Sequence, residues 1–218
     1  MGVEAGHAAA SRRERAWWLR TLAVFRQPSS TFAALRDDSP AEAEAREEPV
    51  LALALLAGVA GVLATPTVGD LLDNRDRDAL VVAVLVFLAG GLYGIATYWL
   101  GGGALHVGIR AAGGTATYRQ ARHLLAFAAA PLALSLIVLW PLRLAAYGGD
   151  LFRAGGADEE GAGRWVFEGL EGAFFLWAAA LLVVGVRTVH GWPLVRALGA
   201  VALAGLALVV LGVVASLL

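Results

Sequence analysis

Residues 113–131 read GGTATYRQARHLLAFAAAP. This stretch decides the fold, because it carries Arg119 and Arg122 straight into an apolar run with no carboxylate among them. With Arg110 just upstream, these arginines sit at the ends of two long apolar segments, where Arg biases a loop towards the cytoplasmic side of a bilayer. The stretch therefore reads as a cytoplasmic loop entering a membrane span, and its side fixes the side of every other segment.

The composition agrees. The 218 residues are 59% hydrophobic and 16% charged with a mean hydropathy of +0.68, proportions outside those of a soluble domain. The net charge of -1 sums acidic and basic stretches that are segregated along the chain, and it points to no nucleic acid or other polyanionic partner. Every basic residue is Arg and none is Lys, a bias that fits a GC-rich prokaryotic genome. The absence of Cys excludes disulfides, thiolate metal sites, iron–sulfur clusters and a Cys nucleophile. The first 47 residues lack the apolar core and cleavage site of a secretory signal, so the first span is expected to direct insertion itself.

Working outward, the expected fold is all-α: a polytopic membrane protein with five transmembrane helices preceded by an amphipathic cytoplasmic segment. Residues 1–10 carry no periodic pattern and are expected to be disordered. Residues 11–48 are expected to hold cytoplasmic or interfacial helices and an acidic linker. Ser11 would cap a helix with Trp17, Trp18, Leu22 and Phe25 on one side and Arg12, Arg13, Arg15 and Arg20 on the other, the composition of a helix lying at a bilayer surface. Pro28 interrupts it, and Ser29 or Ser30 would cap a second short helix bearing Phe32 and Leu35.

Residues 49–218 are expected to form the membrane domain, with spans at about 50–68, 79–107, 124–142, 172–186 and 197–218, the first, at nineteen residues, being enough to cross a hydrocarbon core. The uncharged run Ala79–Ile109 is longer than one crossing requires, and Gly101–Gly103 is where a break is expected. Gly90, Gly91 and Gly94 lie on nearly one face and would let a neighbouring helix approach closely. Pro131 is expected inside the third span, bending it and packing it against that glycine face. The loops holding Asp70, Asp73, Asp76 and Asp78, and Asp150, Asp158, Glu159 and Glu160, would face outward. Roughly twelve arginines fall on one side and five on the other, which places the amino terminus in the cytoplasm and the carboxyl terminus outside a plasma membrane.

Three stretches in fixed order carry a family resemblance: RQPSSTFAALRDD at 26–38, REEPVLALALLAG at 46–58, and the GG-x-x-x-YRQA-R loop leading to AFAAAPL at 126–132. The chain resembles the prokaryotic branch of the Yip domain family, polytopic membrane proteins whose eukaryotic members are Ypt/Rab-interacting proteins of the early secretory pathway. The resemblance covers roughly residues 20–215 and implies a non-enzymatic membrane protein. The Asp-Leu-Tyr-Gly-Pro type motif of eukaryotic members is missing from the tail, so Rab binding and vesicle transport are not carried over.

Candidate chemistry is sparse. A serine protease would need a Ser in a Gly-flanked pocket with a His base, but Ser135 has no flanking Gly and His190 sits at a membrane edge. No His-Glu-x-x-His spacing exists. His106, His123 and His190 all fall near cytoplasmic span ends, where they would hold a metal or a lipid phosphate only by converging; separate roles are favoured, and no metal or cofactor is expected. Glu47 and Glu48 read as solvated charges. Trp17, Trp18, Arg20, Arg119, Arg122 and Arg187 are the candidate lipid- or partner-binding residues. The expected function is a scaffold or adaptor that engages membrane lipids, protein partners or a second copy at its cytoplasmic face. The alternative is a permease, or a subunit of one, with a polar cavity at Tyr93, Thr97 and Tyr98. The threading is testable in this Cys-free chain. Single Cys residues at positions 5 and 116 should resist a membrane-impermeant label applied to intact cells, while those at 74, 157 and 218 should react; the reverse pattern would invert the topology.

Overall fold

A computed structural model describes residues 2–65, 79–148 and 161–217, and every regular element among them is a helix. In chain order these are α1 (Gly2–Ala23), α2 (Pro28–Ala34), α3 (Pro40–Leu63), α4 (Ala79–Ala111), α5 (Tyr118–Ala128), α6 (Ala130–Tyr147), α7 (Gly161–His190) and α8 (Leu194–Ser216). Among the described residues four stretches are long and apolar enough to cross a membrane: Ala83–Ala111, Tyr118–Tyr147, Gly161–His190 and Leu194–Ser216. The expected first span, 50–68, rests on the uncharged part of α3 from Val50 to Leu63, and its last three residues lie outside the described ones. The acidic loop at 70–78 lies outside the described residues, as does the other acidic loop from 149 to 160.

Several expectations are corrected. Helix α1 begins at Gly2, so Ser11 lies within it rather than at its cap; Ala-rich sequence needs no periodic apolar face to be helical. Helix α4 runs unbroken through Gly101–Gly103, because these glycines serve packing: a Cβ on Gly102 would collide with the Arg122 side chain. The helix that carries the expected span at 172–186 starts at Gly161, and its first turns are helped by an i,i+4 pair in which Arg164 Nε donates to Glu168 Oε1 at 2.7 Å.

The third span is two helices. A one-residue break at Ala129 separates α5 from α6, and Pro131 occupies the first turn of α6, where its missing N–H costs no bond. The proline inside that helix is Pro141. Thr117 caps α5, its Oγ1 accepting from Gln120 N at 3.0 Å.

The glycine face of α4 meets α3, not the span carrying Pro131. Gly90 lies against Val59, and Gly94 and Gly58 approach so closely that a Cβ on either would strike the partner helix's backbone. Gly91 is off this seam, where a Cβ would meet Leu55 Cδ2 at an ordinary 3.6 Å. The α3–α4 interface is the most extensive in the molecule, with α4–α8 next. Above it, Trp17, Val24, Phe32, Leu35, Ile109, Leu124, Phe127 and Val186 are wholly buried, so the densest core joins α1 and α2 to one end of the bundle. The seam predicts opposite signs for one chemical change. Gly91→Ala should be neutral or slightly stabilising, since Ala favours helix by about 1 kcal/mol. Gly94→Ala should lower stability by about 1–3 kcal/mol through overpacking, as read by thermal unfolding in detergent.

Candidate functional site

The polar side chains converge at that same end. Helix α3 presents Ala43, Arg46, Val50 and Leu53 on one buried face, and the Arg46 guanidinium is completely buried. It is satisfied on three edges: Nε donates to His123 Nδ1 at 2.7 Å, Nη1 to Asp37 O at 2.6 Å, and Nη2 to Asp38 Oδ1 at 2.6 Å. Its Cζ lies 5.4 Å from the centroid of the Trp17 ring. A guanidinium can only donate, so His123 Nδ1 must be the bare nitrogen and the proton must sit on Nε2, which donates to Glu47 Oε2 at 3.1 Å. His123 is thereby fixed as one neutral tautomer.

Asp38 ties this cluster to α5. Its Oδ2 accepts from Thr117 Oγ1 at 2.6 Å and its Oδ1 from Arg119 Nε at 3.2 Å, while its carbonyl accepts from Arg119 Nη2 at 2.6 Å. Burial opposes ionisation of Asp38, but the hydrogen bonds from Thr117 and Arg119 and the charges of Arg119 and Arg46 outweigh it and hold the carboxyl below its usual value. Gln120 Nε2 donates to Leu35 O at 2.8 Å, Trp17 Nε1 to Glu42 Oε2 at 2.9 Å, and Arg36 Nε to Thr188 O at 3.2 Å. Arg196 Nε donates to Ala112 O at 2.9 Å, which pins the loop before α5 to the start of α8.

The candidate binding residues separate into two groups. Trp17 is buried, its ring centroid 5.7 Å from that of Phe127, with Arg20 Cζ 4.4 Å over its other side. Arg119 is committed to Asp38. Arg122 is buried, its Cζ lying 3.7 Å from the Trp99 ring, 4.9 Å from Tyr118 and 5.0 Å from Tyr98, and its Nε and Nη1 find no hydrogen-bond partner among the described residues. Only Trp18 and Arg187 are exposed. On α1 the buried side runs Trp17 and Thr21 and continues to Val24 just past its end, and the outward side carries Trp18, Leu19 and Leu22 at 40%, 63% and 69% exposure. Leu22 is thus outward while Trp17 is inward, and the single apolar face expected of this helix is two.

The three histidines are dispersed: His123 in the Arg46 cluster, His106 edge-on to Tyr118 at 6.1 Å, and His190 beside Trp192 at 4.7 Å. Among the described residues no three His, Cys, Asp or Glu side chains are grouped to hold a metal ion. Ser135 Oγ donates to Leu132 O at 2.7 Å. Arg46, Asp38 and Gln120 are the residues that sequence reasoning missed, and Glu47, read as solvated, accepts from a buried histidine. One signal was present: Arg46 falls on the same helical face as Ala43, Val50 and Leu53, a lone charge on a buried stripe.

Deleting the hub should be costly, because it strands a carboxylate, an imidazole and a carbonyl together. Arg46→Ala should lower stability by about 3–5 kcal/mol, as expected when one member of a buried pair is removed. Arg46→Lys should recover only a part, since one ammonium cannot span three separated acceptors; thermal unfolding in detergent gives both values.

The family profile described as the Yip1 domain matches residues 22–216. No curated protein and no solved structure matches the chain.

Proposed function

This chain belongs to the Yip1 domain family and is an integral, multi-pass membrane protein, and from that premise we propose that it is a non-enzymatic scaffold or adaptor of the plasma membrane. Its cytoplasmic end, built from α1, α2 and the loops around Gly113 and Gly191, engages lipid headgroups and protein partners or a second copy. In this reading α3 supplies the first of five spans, the amino terminus lies in the cytoplasm and the carboxyl terminus outside. The Arg asymmetry supports that orientation.

One observation carries the proposal: α1 is anchored to the bundle by Trp17, yet turns Trp18, Leu19 and Leu22 outward among the exposed Arg12, Arg13, Arg15 and Arg26. An apolar patch ringed by arginines suits the boundary between acyl chains and anionic headgroups, where each Arg contributes about 1 kcal/mol. Arg187, exposed at the same end, adds to that field. Arg119 and Arg122 contribute to it as fixed charges rather than as mobile contacts.

The permease reading gains one feature, since Tyr93, Thr97 and Tyr98 line a common cavity. The remaining wall is mostly Ala, Gly and Leu, which suits an apolar guest better than an ion or a polar solute.

The surface role of α1 is tested with nitroxide labels on single Cys residues in the full chain, reconstituted in vesicles containing anionic lipid. Position 22 should be more accessible to oxygen than to a water-soluble nickel chelate, and position 13 the opposite. Equal chelate access at both positions would remove α1 from the bilayer surface.

A further inference from the structure

Between α3, α4, α5, α6, α7 and α8 lies a cavity of about 880 Å³, within the range of about 300–1,000 Å³ of small-molecule sites. On α7 its wall runs from Glu168 to Leu182, roughly 21 Å of helix at 1.5 Å per residue. That exceeds half of a hydrocarbon core about 30 Å thick, which is the depth one acyl chain fills. The wall is chiefly alanine, glycine and leucine, so water gains little there.

The polar features are few and unevenly placed. At one end Glu171 and Arg143 neutralise each other, Arg143 Nη1 donating to Glu171 Oε1 at 2.6 Å. Towards the other end stands Tyr98, 2% exposed, which lines the cavity and whose hydroxyl finds no hydrogen-bond partner among the described residues. A buried hydroxyl left unmade costs free energy, and a ligand acceptor would satisfy it. The Arg122 guanidinium lies 5.0 Å from the Tyr98 ring and its Nε and Nη1 find no hydrogen-bond partner among the described residues, so further unmet donors stand near that hydroxyl, with the Glu47 carboxylate charge acting against them.

We propose that this cavity binds a single acyl chain, with its acidic head accepting a hydrogen bond from Tyr98. The chain belongs either to a free fatty acid or to an anionic phospholipid whose second chain stays in the bilayer. The proposal concerns the interior of the spans and stands whether or not α1 binds the membrane surface.

The test uses the full-length protein in detergent with two probes: palmitate bearing a mid-chain diazirine, and phosphatidylglycerol bearing the same group on one chain. Cross-links are mapped by mass spectrometry. Saturable labelling is expected on the inner wall, at Thr97, Tyr98, Leu105, Ala178, Ala179 and Leu182, and the probe that saturates identifies the source of the chain. Tyr98→Phe should weaken occupancy by about threefold to tenfold, the effect of one hydrogen bond. Two blocking variants, Ala178→Leu in the wall and Gly205→Phe at a position where a Cβ would meet nothing within 4 Å, should each reduce wall labelling at least fivefold while the protein remains monodisperse. If Ala178→Leu does not fold, Gly205→Phe alone decides. Neither probe saturating, or labelling spread over the outward residues Leu85, Leu88, Val209 and Val213 and unchanged by the blocking variant, would overturn the proposal.

Discussion

A buried guanidinium is the constraint on which the described architecture turns. Taking Arg46 out of water costs several kcal/mol, and the chain offsets that cost by bringing an imidazole, a carboxylate and a backbone carbonyl to three edges of one planar group. Two of those acceptors belong to the turn before α3 and the third to α5. The linker that precedes the membrane helices is therefore held as part of the bundle, and α1 and α2 come with it through Trp17 and Gln120. The same bond pattern dictates a neutral His123, its one ring proton held on Nε2 against Glu47, so the cluster fastens α3 to α5.

How legible this was depended on whether a property is local. The apolar runs, the helical class and the family membership could be read directly, because each is carried by a contiguous stretch. Destinations were less legible. Trp17 and Trp18 are adjacent and chemically alike, yet one faces Phe127 and the other solvent or lipid, because a helix turns consecutive residues about 100° apart. The glycines at 101–103 read as a break, but tertiary packing against Arg122 and Leu125 overrode their low intrinsic propensity. Gly90 and Gly94 were expected to meet the span carrying Pro131, whereas they lie against α3, whose Gly58 is on another segment. Arg46 was visible as a misplaced charge, but its three acceptors lie at both short and long sequence separation, and no periodicity encodes them.

Small residues serve two opposite ends within a few turns of one another. Along the α3–α4 seam they let backbones touch, where apolar surroundings give helices no hydrophobic reason to associate. In the centre, the alanines and glycines of α3, α7 and α8 line a gap that their side chains are too short to close. The contrast is between glycine paired with glycine across one interface and alanine distributed over four helices, and it leaves the bundle tight on one side and hollow within.

The Arg46 cluster also sets an order of events during synthesis. The chain emerges amino terminus first, so Arg46, Asp37 and Asp38 exist long before His123, Thr117 and Arg119. Until α5 has been made and placed, the guanidinium lacks its deepest acceptor, and α2 lacks the Gln120 side chain that holds Leu35. The amino-terminal helices must therefore wait undocked through the insertion of at least one long apolar helix. Their closure onto the bundle is a late step that can occur only after the helix beginning at Tyr118 has taken its place.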